Sequence, residues 1–207
     1  MHPDCWLNDF SSSKSKFFYD ILVEMKSVKP EVSSQKYWSG YFANVDIDFA
    51  SVYKRKNYMY KDRTMAEFNF KLIHNILPCN MNLHKWKKKT YNTCTICNVI
   101  EDIPHMLYEC AYAKTIWDKL NINRTVMITA SEVILGSGSS DNDIMITTFI
   151  SYFIYKTWLK NSFDNCPRDI KTAIMLLKCY LKRVYETYLH LKCNSLCQEL
   201  KRVIDTL

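Results

Sequence analysis

The sequence predicts a mostly α-helical chain that ends in a pair of long helices, and three observations carry that prediction. Glycine and proline are scarce, three and five among 207 residues, whereas Lys, Leu, Ile and Met are abundant, which favours long helices over a turn-rich β architecture. Hydrophobic residues make up 48% of the chain, enough to fill a core at this length. Apolar side chains recur mainly at intervals of three and four.

Taken in order, Ser11 to Ser13 can cap a helix over Ser15 to Met25 with Phe17, Phe18, Ile21, Leu22 and Met25 at helical spacing, and Pro30 ends that region. Asp48 can cap a short helix through Phe49, Val52, Tyr53 and Lys56. Thr64 with Glu67 reads as a capping box for a helix that buries Met65, Phe68, Leu72 and Ile76 and stops at Pro78. The stretch from Asn80 to Asn92 reads as a basic loop or short helix. A further helix spans Ala111 to Leu120, with Ala113, Ile116, Trp117 and Leu120 on one side.

Gly136-Ser137-Gly138-Ser139-Ser140-Asp141 has the composition of a flexible linker and is the expected internal boundary. The resulting division is an N-terminal helical segment 1–60, a middle module 61–122 and a C-terminal helical segment 123–207. Beyond the boundary, one long helix carries Phe149, Ile150, Phe153, Ile154 and Trp158. A second begins near Pro167-Arg168-Asp169, and its Ile170, Ile174, Leu177, Leu181, Val184, Tyr188 and Leu191 form a heptad seam. Such a short seam is expected to pack within the chain, with weak self-association as the alternative.

The opening Met1-His2-Pro3-Asp4 lacks the basic and apolar segments of a signal peptide, so an intracellular protein, nuclear or cytoplasmic, is expected. The most apolar uncharged run, Ile144 to Tyr155, has 12 residues, short of the roughly 20 that span a bilayer; it reads as a buried helix, and no membrane partner is expected. Nine cysteines, an odd number, then suggest metal ligands and buried thiols rather than a disulfide framework.

The net charge of +7 is unevenly placed. Residues 50–99 hold ten Lys/Arg against Asp62 and Glu67, a surplus of +8, and the remainder sums to −1. A surplus confined to one quarter of a chain is the footprint of a phosphate-binding face, the alternative being a solvated helix surface. Lys85, Lys87, Lys88 and Lys89 would contact phosphates, with Lys54, Arg55 and Lys56 as a second cluster. Trp86, Tyr91, Tyr58 or Tyr60 would stack on unpaired bases, unless the tyrosines belong to the core.

Cys94 and Cys97, His105 and Cys110 supply three thiols and an imidazole within 17 positions. Zinc takes four such ligands tetrahedrally, and a two-residue gap lets one tight turn aim two sulfurs at one ion. Asp102-Ile103-Pro104 looks like the start of a short helix presenting His105. Cys110 is five residues on, about 140 degrees round an ideal α-helix, so the helix must end or kink there for the site to close. With no position left open, the single zinc ion is structural, and the fold becomes a helical domain built around a small zinc module. Ten residues upstream of Cys94, His84 is a competing ligand. His190, Cys193 and Cys197, with Cys179 or Cys166, are better read as buried thiols and their neighbour than as a second metal site, and His74 as a packed core histidine.

The stretch from Glu67 to Leu120 resembles the zinc-binding region near the C-terminus of reverse transcriptases encoded by non-LTR, LINE-type retrotransposons. The resemblance rests on Phe68, Lys71-Leu72, His74, Leu77-Pro78, Leu83, Trp86, Cys94, Cys97, Glu101-Asp102, His105, Cys110, Ala113 and Ile116-Trp117 taken together. It implies Cys94, Cys97, His105 and Cys110 as ligands, and a region that binds RNA or target DNA, single-stranded or as template-primer, beside a polymerase domain. Such proteins carry a long polymerase domain upstream, so a fragment, a truncated element or a host gene derived from one is implied.

No catalytic residues are expected here. Reverse transcription needs carboxylates that hold two metal ions, yet the chain has no Asp-Asp pair. Asp46/Asp48 and Asp141/Asp143 read as caps or loop residues. Pro3-Asp4 with Glu24 and Lys26 matches a nuclease pattern only superficially, because the latter two fall in a predicted helix. A protein-interaction scaffold with purely structural zinc is the main alternative function.

Overall fold

A computed structural model describes residues 33–58, 62–121, 128–164 and 169–207, with the side chains of 55–58 and 164 left out. The expected helix over 15–25, the Asp4/Glu24/Lys26 set, Tyr60, Cys166 and the side chains of Arg55, Lys56 and Tyr58 therefore lie outside the described residues.

The described chain is mostly helical. Its elements are α1 Ser33–Tyr41, α2 Phe49–Tyr58, α3 Arg63–Ile73, α4 Asn80–Lys85, a π-helical turn His105–Glu109, α5 Ala111–Asn121, α6 Ala130–Leu135, α7 Asp141–Asp164, α8 Ile170–His190 and α9 Asn194–Thr206. Among the described residues, extended pairing amounts to one isolated antiparallel bridge, Thr93 with Ile100.

Helix α7 is the hub. Residues 144–151 are buried on all sides, from Ile144, Ile146, Phe149 and Ile150 to the polar Thr148 and Ser151. A helix without a solvated face must be central. α7 packs on α3, α6, the π turn, α8 and α9, and α8 and α9 lie along one another. The seam of α8 faces inward at Leu177 and Leu181, with Ile170, Ile174, Val184 and Tyr188 partly buried against the core, while Leu191 is exposed. α9 was not anticipated; its Leu196, Cys197, Leu200, Val203 and Ile204 form a buried stripe at helical spacing. No helix among the described residues is long and apolar enough to cross a membrane.

Several local expectations are corrected. α3 is capped by Asp62, whose carboxylate accepts from Thr64 N–H at 2.8 Å, while Glu67 pairs with Lys71 at 2.6 Å instead of closing a capping box. The chain turns at Asn75, which leaves Ile76 exposed rather than in the core. The stretch with linker composition is a tight turn. Gly136 ends α6 at φ 69°, and a Cβ there would meet Ile144 at 2.9 Å. Ser140 then caps α7, accepting from Asp143 N–H at 3.2 Å. Asp48 accepts from Ser51 N–H at 3.2 Å, the capping role expected of it.

With so few glycines, helices end on other residues in the left-handed region. Asn75, Lys87 and Lys192, at φ 55°, 58° and 57°, each follow a helix. In each case the next amide reaches back five residues: Ile76 N–H to Lys71 O, Lys88 N–H to Leu83 O, Cys193 N–H to Tyr188 O. This is the Schellman closure, normally built on glycine. Left-handed geometry costs an L-residue roughly 1–2 kcal/mol, partly offset by the extra freedom glycine has when unfolded. Lys192→Gly should therefore raise stability by about 0.5–1 kcal/mol in denaturant titrations. A destabilised variant would refute the strain.

Three buried indoles tie distant segments together. Trp38 donates to Ile73 O at 2.7 Å, Trp117 to Leu107 O at 2.8 Å, and Trp158 to Glu101 Oε1 at 2.7 Å. They fasten α1 to α3, α5 to the π turn, and α7 to the segment that carries the cysteines. A Trp N–H buried without an acceptor would be costly, so each bond fixes a relative placement as well as filling volume.

Candidate metal centre and basic surface

The first two cysteines sit in a small hairpin. Asn98 N–H bonds back to Cys94 O at 2.9 Å, and Cys94 N–H reaches Val99 O at 2.8 Å. Closing this loop needs a left-handed residue, and Asn98 supplies it at φ 56°. Backbone amides of Ile96 and Cys97 point at the Cys94 sulfur, Ala111 N–H lies 3.4 Å from Cys97 Sγ, and Tyr112 N–H faces Cys110. Amide dipoles aimed at sulfur favour thiolates, the form that binds metal.

The other two ligands come from the π turn. Asp102 starts it, accepting from His105 N–H at 2.8 Å, and Cys110 N–H closes it onto His105 O at 2.7 Å. This i to i−5 bond resolves the angular problem that five-residue spacing poses. A π turn holds more residues per turn than an α-helix, so it swings Cys110 back over His105. Cys110 itself leaves helical geometry at ψ 135°. Trp117 then caps the carbonyl of Leu107 within the turn.

The result is a group in which the four ligand atoms of Cys94, Cys97, His105 and Cys110 all lie within 4.8 Å of one another. Cys110 Sγ is 3.8 Å from Cys94 Sγ and 3.9 Å from Cys97 Sγ. Four ligands placed tetrahedrally, with sulfur about 2.3 Å from zinc, put sulfurs about 3.8 Å apart. His105 Nε2 is buried and makes no geometrically sound hydrogen bond. Spacing, donor set and the spare imidazole nitrogen fit one zinc ion. The hydrogen bond from Cys110 favours the Cys94 thiolate, lowering its pKa and raising that of Cys110.

The surroundings are wired to the rest of the fold through Glu101, a fully buried carboxylate. Its Oε1 accepts from the Trp158 indole and from Asn80 N–H at 3.3 Å, and its backbone carbonyl accepts from Met81 N–H at 3.0 Å. Cys79, at the start of α4, gives no side-chain cap, so Glu101 serves instead. Tyr37 donates to Asp102 Oδ2 at 3.2 Å and Tyr41 to Glu109 Oε1 at 2.5 Å, docking α1 on the π turn. Burial, followed by these carboxylates, pushes both phenols upward. In the sequence Glu101 stands out only within the resemblance, and Trp158 only as an apolar residue at helical spacing. Nothing local announces a contact across 57 residues.

The basic segment begins as α4 and ends in the strained turn at Lys87. Lys85, Trp86, Lys87, Lys88 and Tyr91 are all exposed, and His84 with residues 85–90 except Trp86 borders a shallow hollow of about 520 Å³. Lys54 is exposed on α2. Lys89 is different. Its ammonium bonds Asn80 Oδ1 at 2.9 Å and Ser162 Oγ at 3.3 Å, and lies 5.0, 5.4 and 5.3 Å from the ring centres of Tyr91, Trp158 and Phe163. That charge is engaged inside the fold, so Lys89 clamps the basic turn to α7.

Other candidates fall elsewhere. His84 is outside the metal group, with Nδ1 3.2 Å from Lys89 O. His74 is half-buried between the rings of Tyr53 and Phe70, at 5.3 and 4.3 Å, and burial lowers its pKa. Cys197 is buried, with its sulfur 3.9 Å from Tyr185 O, while Cys179 is exposed; neither forms a metal-holding group with His190 and Cys193 among the described residues.

Residues 33–117 match the family model described as zinc-binding in reverse transcriptase. The matched stretch runs from the first residue of α1 to the Trp that closes the π turn and includes all four ligands. The match is to a zinc-binding domain, and the zinc it implies is the ion that the Cys94, Cys97, His105 and Cys110 group is placed to hold. No curated protein and no solved structure matches the chain.

Proposed function

We propose that this chain is the zinc-stabilised nucleic-acid-binding module of a non-LTR, LINE-type reverse transcriptase, or a truncated or host-derived copy of one. It holds RNA or DNA for a polymerase domain outside these residues and performs no catalysis itself. The observation that carries this reading is the pairing of a zinc centre with a basic turn that precedes it in the chain, where the exposed Lys85, Lys87 and Lys88 flank the exposed Trp86 in sequence. Zinc, when bound, supplies a rigid cross-link. Glu101 transmits that rigidity to α4, whose end displays the lysines. Lys54 would extend the phosphate track. The setting is intracellular, where template RNA and target DNA meet.

Binding should follow polyelectrolyte behaviour. Each phosphate neutralised releases condensed counterions, worth a slope of about 0.7 log units on single strands. Replacing Lys85, Lys87 and Lys88 together with Ala should flatten the plot of log affinity against log salt by roughly 2 units. Zinc content should not change. An unaltered slope would leave these lysines as a solvated surface and favour the scaffold function instead.

A further inference from the structure

The zinc hairpin has two faces of opposite character. Residues opposed in an antiparallel bridge share a face, and residues two apart along an extended strand do so too. Tyr91 and Thr93 on one arm and Ile100 on the other therefore point outward together. Asn92, Cys94 and Glu101 point inward. Burial follows the alternation: Cys94 and Glu101 are buried, whereas Tyr91 and Ile100 are 43% and 57% exposed. The tip adds Ile96 and Val99, also exposed, at 43% and 49%. Three aliphatic side chains and a tyrosine thus stand in solvent on a segment that zinc makes rigid. The core does not use them.

We infer that the outer face formed by Tyr91 and Ile100, together with Ile96 and Val99 exposed at the loop tip, is a platform for the unpaired bases of a single-stranded nucleic acid. The inference rests on the nucleic-acid reading above and extends it. Charge complementarity selects the occupant. The hairpin follows directly on the turn that displays Lys85, Lys87 and Lys88, which border one hollow with Thr90, so a polyanion held by these lysines runs on to the hairpin. Flat apolar surfaces suit bases of any sequence, tyrosine by stacking and the aliphatic groups by covering base faces or wedging between them. A duplex keeps its bases stacked and cannot use the platform without unpairing.

The test uses the zinc-loaded full chain and fluorescently labelled RNA and DNA oligonucleotides of one sequence, single-stranded and as duplexes, across a salt series. The triple variant Ile96→Ser, Val99→Ser, Ile100→Ser changes only exposed residues and should keep its zinc. It should bind single strands about tenfold more weakly at every salt concentration, with unchanged slope. Ile100→Tyr, which enlarges the stacking surface, should tighten single-strand binding and leave duplex binding alone. Parental affinity in the serine variant, equal loss on single strands and duplexes, or a change confined to self-association measured by sedimentation would each overturn the inference. If the lysine variant flattens the slope while the apolar variants bind as the parent does, only the platform is lost. A parent protein that binds no nucleic acid at any salt overturns both.

Discussion

Cys110→Ser should reduce bound zinc from about one ion per chain to nearly none. Cys110 is the sulfur that lies against both other cysteines, at 3.8 and 3.9 Å, and it sits at the end of a π turn whose shape brings it there. A hydroxyl at that position is a poor zinc ligand, and three remaining donors leave the tetrahedron open. Structural zinc is worth roughly 10–16 kcal/mol in small peptides, so losing it should unfold the hairpin and the π turn rather than merely weaken them. Cys79→Ser is the matched control. Cys79 is equally buried, its thiol pushed up to about 12 by burial, yet it lies outside the ligand group. Metal analysis of the two purified variants decides the matter. Full zinc in Cys110→Ser, or loss in both, would sink the assignment.

The second large effect is expected far from the ligands. Trp158→Ala removes a fully buried indole from α7 and the donor at 2.7 Å to the buried Glu101 carboxylate. Truncating a buried aromatic to alanine typically costs about 3–5 kcal/mol, and leaving a buried acceptor without its donor adds to that cost. The same wiring predicts where chelation will be felt. Hydrogen exchange should speed up across residues 80–120 and in the part of α7 around Trp158, and less in the α8–α9 hairpin, which holds none of the four ligands. An unfolding free energy of Trp158→Ala within about 1 kcal/mol of the parent, or equal deprotection everywhere after chelation, would show that Glu101 does not couple the centre to α7.

These couplings mark the limit of what the linear chain discloses. The ligand set was legible because Cys94, Cys97, His105 and Cys110 fall within 17 positions and zinc chemistry constrains their spacing. Yet the π turn that reconciles His105 with Cys110 was visible only as an angular misfit. The basic turn was legible as charge, but Lys89 looked identical to its neighbours. Its ammonium is drawn inward because Trp158 and Phe163 arrive from α7, and sequence distance conceals that arrival.

What the sequence determined by itself is local. It set the helical periods, the cap at Asp48, the helix start at Asp102, the inward seam of α8 and the four zinc donors, because each depends on residues close to one another along the chain. Tertiary structure decided the rest. Ile76 is exposed because the chain reverses at Asn75, the Gly136 segment is a tight turn because Ile144 packs against it, and Glu101 is buried because Asn80 and Trp158 are there to satisfy it. A buried charge or a tight turn is tolerated only when partners from elsewhere in the chain offset its cost, and which partners arrive is settled by packing.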